Sequence, residues 1–135
     1  IKCISIPKSG ELVGAHGAAG RVRNAGIKLA TTAYIGLLDD DDTLGNDYVN
    51  QINPIFDINI FRMLGDDGII PRLSNASLVP GNIGISYCFA NKGDILFDGN
   101  SFTEDHQHIH KLIAQGFTYT VHKQVQYFVK AKRTF

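Results

Sequence analysis

The chain has 135 residues, of which 44% are hydrophobic, and its 13 basic residues balance 13 acidic ones. This is the composition of one ordinary globular domain, long enough to bury roughly two thirds of its unfolded-chain surface. It excludes a nucleic-acid binder that works by basic excess, and no apolar run approaches the ~18 residues of a membrane helix. Two cysteines, Cys3 and Cys88, sit in apolar strand-like surroundings. They make no disulfide framework, and as buried thiols they favour a reducing, cytoplasmic setting.

The first expected element is a strand, Ile1–Ile6, rich in β-branched residues and closed by Pro7. A glycine-rich connection follows over residues 8–20; its spacing is not the G-x-G-x-x-G of a dinucleotide-binding turn. Residues 18–30 (AAGRVRNAGIKLA) carry apolar side chains at loose helical spacing and end on Thr31 and Thr32. Tyr34–Leu38 then reads as a buried strand that stops on four carboxylates, Asp39–Asp42. Strand, helix and strand in this order predict a βαβ unit with a parallel pair.

Beyond the aspartates, residues 45–55 place Tyr48, Val49 and Ile52 on one face of a short helix, with Asn46 or Asp47 as cap and Pro54 as stop. Residues 56–64, GDDG and Ile69–Ile70 read as a hairpin with Asp66 and Asp67 in its turn. Loop chemistry fills 74–84, and Ile85–Ala90 is a further buried strand. The clearest helix spans 102–116, with Thr103 as N-cap, Ile109, Leu112 and Ile113 as its apolar stripe and Gly116 as its stop. Two strands, 117–121 and 125–129, and a basic end complete the chain.

Four adjacent carboxylates repel one another, and a hard divalent cation relieves that repulsion. The turn that holds them lies just past a strand's carboxyl end, where open α/β sheets place ligands. The bland alternative is a solvated acidic turn. Arg21, Arg23 and Asn24, early in the preceding helix, can face a phosphate or these carboxylates, or simply solvent. Asp105 lies four residues before Ile109, on the inward stripe of its helix, beside Glu104. His106 and His110 are also four apart, a spacing compatible with zinc, but they lack the glutamate of H-E-x-x-H and read as surface histidines.

Arg21–Leu44, RVRNAGIKLATTAYIGLLDDDDTL, resembles the family-2 glycosyltransferases of the GT-A fold. Those chains read A-R-N-x-G-I-x-x-A, then an apolar strand, then L-D-x-D-D. The likeness falls on Arg23, Asn24, Gly26, Ile27, Ala30, Leu38, Asp39, Asp41 and Asp42. Downstream, FDGNSFTEDHQHIHKLIAQGFTYTV is similar to the family's G-G-F-x-x-x-E-D segment with its helix and following strand.

The resemblance implies an α/β, GT-A-like three-layer domain with a mostly parallel sheet. It implies inverting, metal-dependent transfer of a sugar from a nucleotide-sugar, a UDP-sugar foremost, to a hydroxyl acceptor on a sugar or glycan. Arg23, Asn24, Asp39 and Asp40 would contact the donor. Asp39, Asp41 and Asp42, with His122, would hold Mn²⁺ or Mg²⁺ against its diphosphate. Asp105 would be the general base. The family's opening V-x-I-I-P-x-Y-N strand and V-D-D-G-S segment have no counterpart, so Ile1–Pro7 would match its third strand. The nucleotide-binding front would then come from chain upstream or from a second chain. The alternative is a remnant that binds metal or a partner without turnover.

Overall fold

Residues 58–61 alternate Ile, Asn, Ile, Phe, and that alternation divides the molecule into two packed faces. The computed structural model describes residues 18–66, 68–74, 77–98 and 104–130. They form α1 (Ala18–Leu29), β1 (Tyr34–Gly36), β2 (Thr43–Leu44), β3 (Ile58–Gly65), β4 (Gly68–Ile70), β5 (Tyr87–Ala90), α2 (Glu104–Ala114) and β6 (Tyr119–Phe128). The expected strand Ile1–Ile6, the glycine-rich stretch up to residue 17, Cys3, Asp67 and the Thr103 cap lie outside the described residues.

The class is α/β with a mixed sheet in the order β1-β5-β3-β6-β2, and β4 pairs with β3 off this path. The sheet is not mostly parallel, as expected, but mostly antiparallel. Among the described residues only β3 and β6 run parallel; β1/β5, β3/β5, β3/β4 and β2/β6 are antiparallel. Each parallel pair needs a long crossover, usually a helix. Among the described residues α2 is the only helix between strands, so β3 and β6 are the pair that gains one. The β3/β4 hairpin matches its sequence signal, closing at the Gly65–Gly68 pair with Gly68 at φ 115°.

Ile58 and Ile60 face both helices. They pack with Ile27 of α1, Ile109 and Leu112 of α2, Ile35 and Leu37 around β1, and Tyr87, Phe89 and Tyr127 from the neighbouring strands. On the other face Phe61 packs with Tyr48 and Cys88, flanked by Leu44 and Ile52. Burial pushes the Cys88 thiol up to about 11, which keeps it a protonated, apolar filler.

Residues 45–55 do not form the expected helix. They make a run of turns whose bonds include Tyr48 N to Gly45 O and Gln51 N to Asp47 O. Tyr48 is buried, while Val49 is 71% exposed. Asn46, Asn50 and Asn53 compete with helical bonds, and the Asn53 side chain turns back on Ile55 N. The two expected C-terminal strands are one, β6. His122, Lys123 and Gln124 stand opposite Phe61 as an irregularity between the Ile60–Val121 and Arg62–Val125 pairs.

α2 ends as its sequence implies. Gly116, at φ 94°, donates to Ile113 O, and Phe117 donates to Leu112 O. This is the Schellman pattern, which satisfies the last helical carbonyls. His108 of α2 is 1% exposed, and both its ring nitrogens are bonded. Its Nε2 gives a proton to Ile95 O at 3.0 Å, and its Nδ1 accepts from the Tyr87 hydroxyl at 2.7 Å. Phe97 stacks on the ring at 3.9 Å.

Burial lowers the His108 pKa to about 4, with Lys111 and Arg23 adding to the effect. The unfolded chain takes up this proton near pH 6.5, so it binds more protons than the folded state between those values. Stability contributed by neutral His108 is therefore complete above about pH 6.5 and is lost as pH falls toward 4. Urea unfolding of His108→Phe is expected to show lower stability at pH 7 but a shallower decline from pH 7 to 4.5 than the parent. An equal decline in both proteins would refute the assignment.

Candidate functional site

The four aspartates form a turn closed by Asp42 N to Asp39 O at 3.1 Å. What fixes this turn is a phenol from the far end of the chain. The Tyr127 hydroxyl donates to Asp42 Oδ2 at 2.7 Å and accepts from Asp39 N–H at 3.2 Å. Lys130 N donates to Asp42 Oδ1 at 3.0 Å. Tyr127 is fully buried. Burial, with the adjoining carboxylates, raises its pKa far above the ordinary phenol value, so it remains a donor. Just past β2, Gly45 lies against Gln126, where a Cβ would collide with that side chain.

Arg23, one turn into α1, reaches two carboxylates at once. Its Nη1 is 3.1 Å from Asp105 Oδ1, and its Nη2 is 3.1 Å from Asp39 Oδ1. These partners lie 82 and 16 residues away in sequence. The Arg23 side chain is 14% exposed, and its guanidinium lies over the Phe97 ring at 5.4 Å. Asn24 holds that ring's backbone from both sides: Nδ2 donates to Phe97 O at 2.8 Å, and Oδ1 accepts from Phe97 N at 2.7 Å. The R-N dipeptide thus fixes the segment leading to α2 with one residue and gathers its carboxylate with the other.

The expected site residues fall into four groups. Arg23, Asn24, Asp39 and Asp105 are brought together. Asp40 and Asp41 are exposed on the same turn with no hydrogen bond or ion pair to a described residue. Asp42 is occupied in holding the turn. His122 is elsewhere: its Nε2 gives a proton to Asn59 Oδ1 at 2.8 Å and its ring stacks on Phe61 at 4.6 Å. That is the Tyr48 and Cys88 face of the sheet, across from Tyr127. Burial lowers the His122 pKa, so it is neutral at pH 7. Among the described residues no three histidine, cysteine or acidic side chains are grouped as a metal centre.

Beside the cluster a groove of about 710 Å³ runs between α1 and β1, lined by Arg23, Ile27, Tyr34, Leu37 and Leu38 among others. Comparison of the chain with models of known protein families and with curated proteins finds no match.

Tyr127 gave no signal in sequence as a site residue, because an aromatic at a strand position reads as core. Its Tyr127→Phe variant keeps the packing and removes only the hydroxyl. Loss of a bond to a charged group is expected to lower stability by about 1–3 kcal/mol in urea unfolding. An unchanged midpoint would show that the phenol does not hold the aspartate turn.

Proposed function

We propose that the chain provides the diphosphate- and acceptor-facing part of a nucleotide-sugar-dependent, inverting glycosyltransferase of GT-A type. The observation that carries this reading is the Arg23 bridge between Asp39 and Asp105. The two acidic segments that resemble the family's D-x-D and E-D motifs meet at one guanidinium, as a shared site would require. An unrelated acidic loop would give no such meeting.

The donor set fits a hard cation. Asp39 and Asp41 offer only oxygen, and Asp41 is unencumbered, which suits Mn²⁺ or Mg²⁺. Bound there, the metal would neutralise the charge of the departing nucleoside diphosphate. Arg23 adds a fixed positive charge at the same edge, able to meet a phosphate with its fork of donors. Asn24 keeps that guanidinium in place through Phe97. Asp105 takes the proton of the acceptor hydroxyl as the new bond forms, and attack opposite the leaving group inverts the anomeric carbon. A sugar hydroxyl is a weak acid, so the proton moves late, once bond formation has acidified it. Asp42 and Tyr127 keep the metal turn rigid. His122 has no part in this arrangement.

A ligand that binds only the native state raises its melting temperature. Nucleotide-sugars screened with Mn²⁺ are expected to raise it by several degrees for at least one donor. Asp41→Ala should abolish that shift. Asp105→Asn should keep the shift while transfer falls by about 10²-fold or more. A shift that persists in Asp41→Ala refutes the metal assignment, and full transfer by Asp105→Asn refutes the base. Absence of any shift favours the domain that binds metal or a partner without turnover.

A further inference from the structure

α2 carries a second set of polar groups that the transferase reading leaves unused. His106 and His110 are four residues apart and share one side of the helix. Their rings stand 4.6 Å apart between centroids, inclined by 68°. His110 is exposed and His106 half-buried, so the pair is open to solvent from one side.

The hydrogen bonds fix where the lone pairs are. His110 Nε2 lies 2.6 Å from Leu78 O. A carbonyl only accepts, so Nε2 is the donor and Nδ1 is the ring nitrogen left for another partner. One ring nitrogen given to a backbone carbonyl is the device that orients a metal-binding imidazole. His106 Nδ1 is shielded from solvent and has no hydrogen-bond partner among the described residues. Burial and the neighbouring His110 lower the His106 pKa. Two imidazoles face each other here, one with an unmet polar atom, and among the described residues neither is in an ion pair.

We propose that His106 and His110 form a two-histidine site for a borderline divalent cation, Zn²⁺ foremost, with water completing its coordination. Imidazole nitrogens suit Zn²⁺, Ni²⁺ and Cu²⁺, whereas Mg²⁺ and Mn²⁺ prefer the oxygen donors of the aspartate turn. Zinc needs each nitrogen at about 2.0–2.1 Å. Side-chain torsions bring an i, i+4 pair to that distance, as in the helical H-E-x-x-H motif. A bound ion would clamp the first turns of α2, whose next residue toward the N-terminus is Asp105. The site stands whether or not the donor reading does, because it shares no ligand with it.

Zn²⁺ titrated calorimetrically into the whole chain, with excess Mg²⁺ to occupy oxygen sites, tests this. His106→Gln and His110→Gln keep side-chain volume, and circular dichroism confirms the helix in each. Each variant is expected to bind Zn²⁺ more than about tenfold more weakly than the parent. Asp41→Asn should bind it unchanged. Cu²⁺ bound to the parent should give a spin-resonance spectrum with two coupled nitrogens, lost in either variant. Undiminished Zn²⁺ binding in both histidine variants, no Zn²⁺ uptake by the parent, or loss of binding in Asp41→Asn would each overturn the proposal.

Discussion

A single guanidinium lies between two carboxylates that come from segments far apart in the sequence. Arg23 meets Asp39 past the end of β1 and Asp105 in the first turn of α2, at 3.1 Å each. Without a cation there, two acids would face one another at a partly buried edge, and their repulsion would spread α2 from the aspartate turn. The bridge is worth more than an exposed surface pair because the guanidinium is mostly enclosed and stacked on Phe97. It also explains why Asn24 follows Arg23. The amide locks the Phe97 backbone, the ring contacts both the guanidinium and His108, and α1 and α2 pack together over the Ile58 and Ile60 face.

The aspartate turn depends on a second long-range contact of the same character. Tyr127 sits in the core of β6 with its hydroxyl between Asp42 and Asp39 N. One acidic residue is thereby spent as an anchor, and Asp40 and Asp41 are left facing out. A run of four like charges becomes a turn with distinct roles at each position. That division of labour would suit the proposed cation-binding edge, with Asp42 held in place and Asp41 available.

Local signals in the sequence carried much of the architecture. The 3.6-residue period of α1 and α2, the Gly116 stop and the GDDG hairpin each act within a few residues, and each forms where its pattern lies. The sheet's direction did not follow from local pattern, because strand pairing is decided by which segments become crossovers. Residues 45–55 have helical spacing but three asparagines and Pro54, and they form turns, so no helix crosses over between β2 and β3; Tyr34–Gly36 pairs antiparallel with β5, and its expected parallel partner, Ile1–Ile6, lies outside the described residues. Of the candidate site, Arg23, Asn24, Asp39 and Asp105 stand out in their motifs, and the fold brings them together. Asp42's role and Tyr127's were not, because their hydrogen bond spans 85 residues. His122 was misleading for a related reason: side-chain direction on β6 depends on the irregularity at 122–124, which turns the imidazole to Asn59.

The central claim is that Arg23 physically joins the two acidic segments, and a double-mutant cycle measures that directly. Unfolding free energies of Arg23→Gln, Asp105→Ala and the pair would be compared with the parent under one set of conditions. Contact predicts non-additivity of at least about 0.5 kcal/mol, with the second substitution costing less once the first is made. Additivity within about 0.3 kcal/mol would mean that the two groups do not interact, and that the two acidic motifs do not share a site.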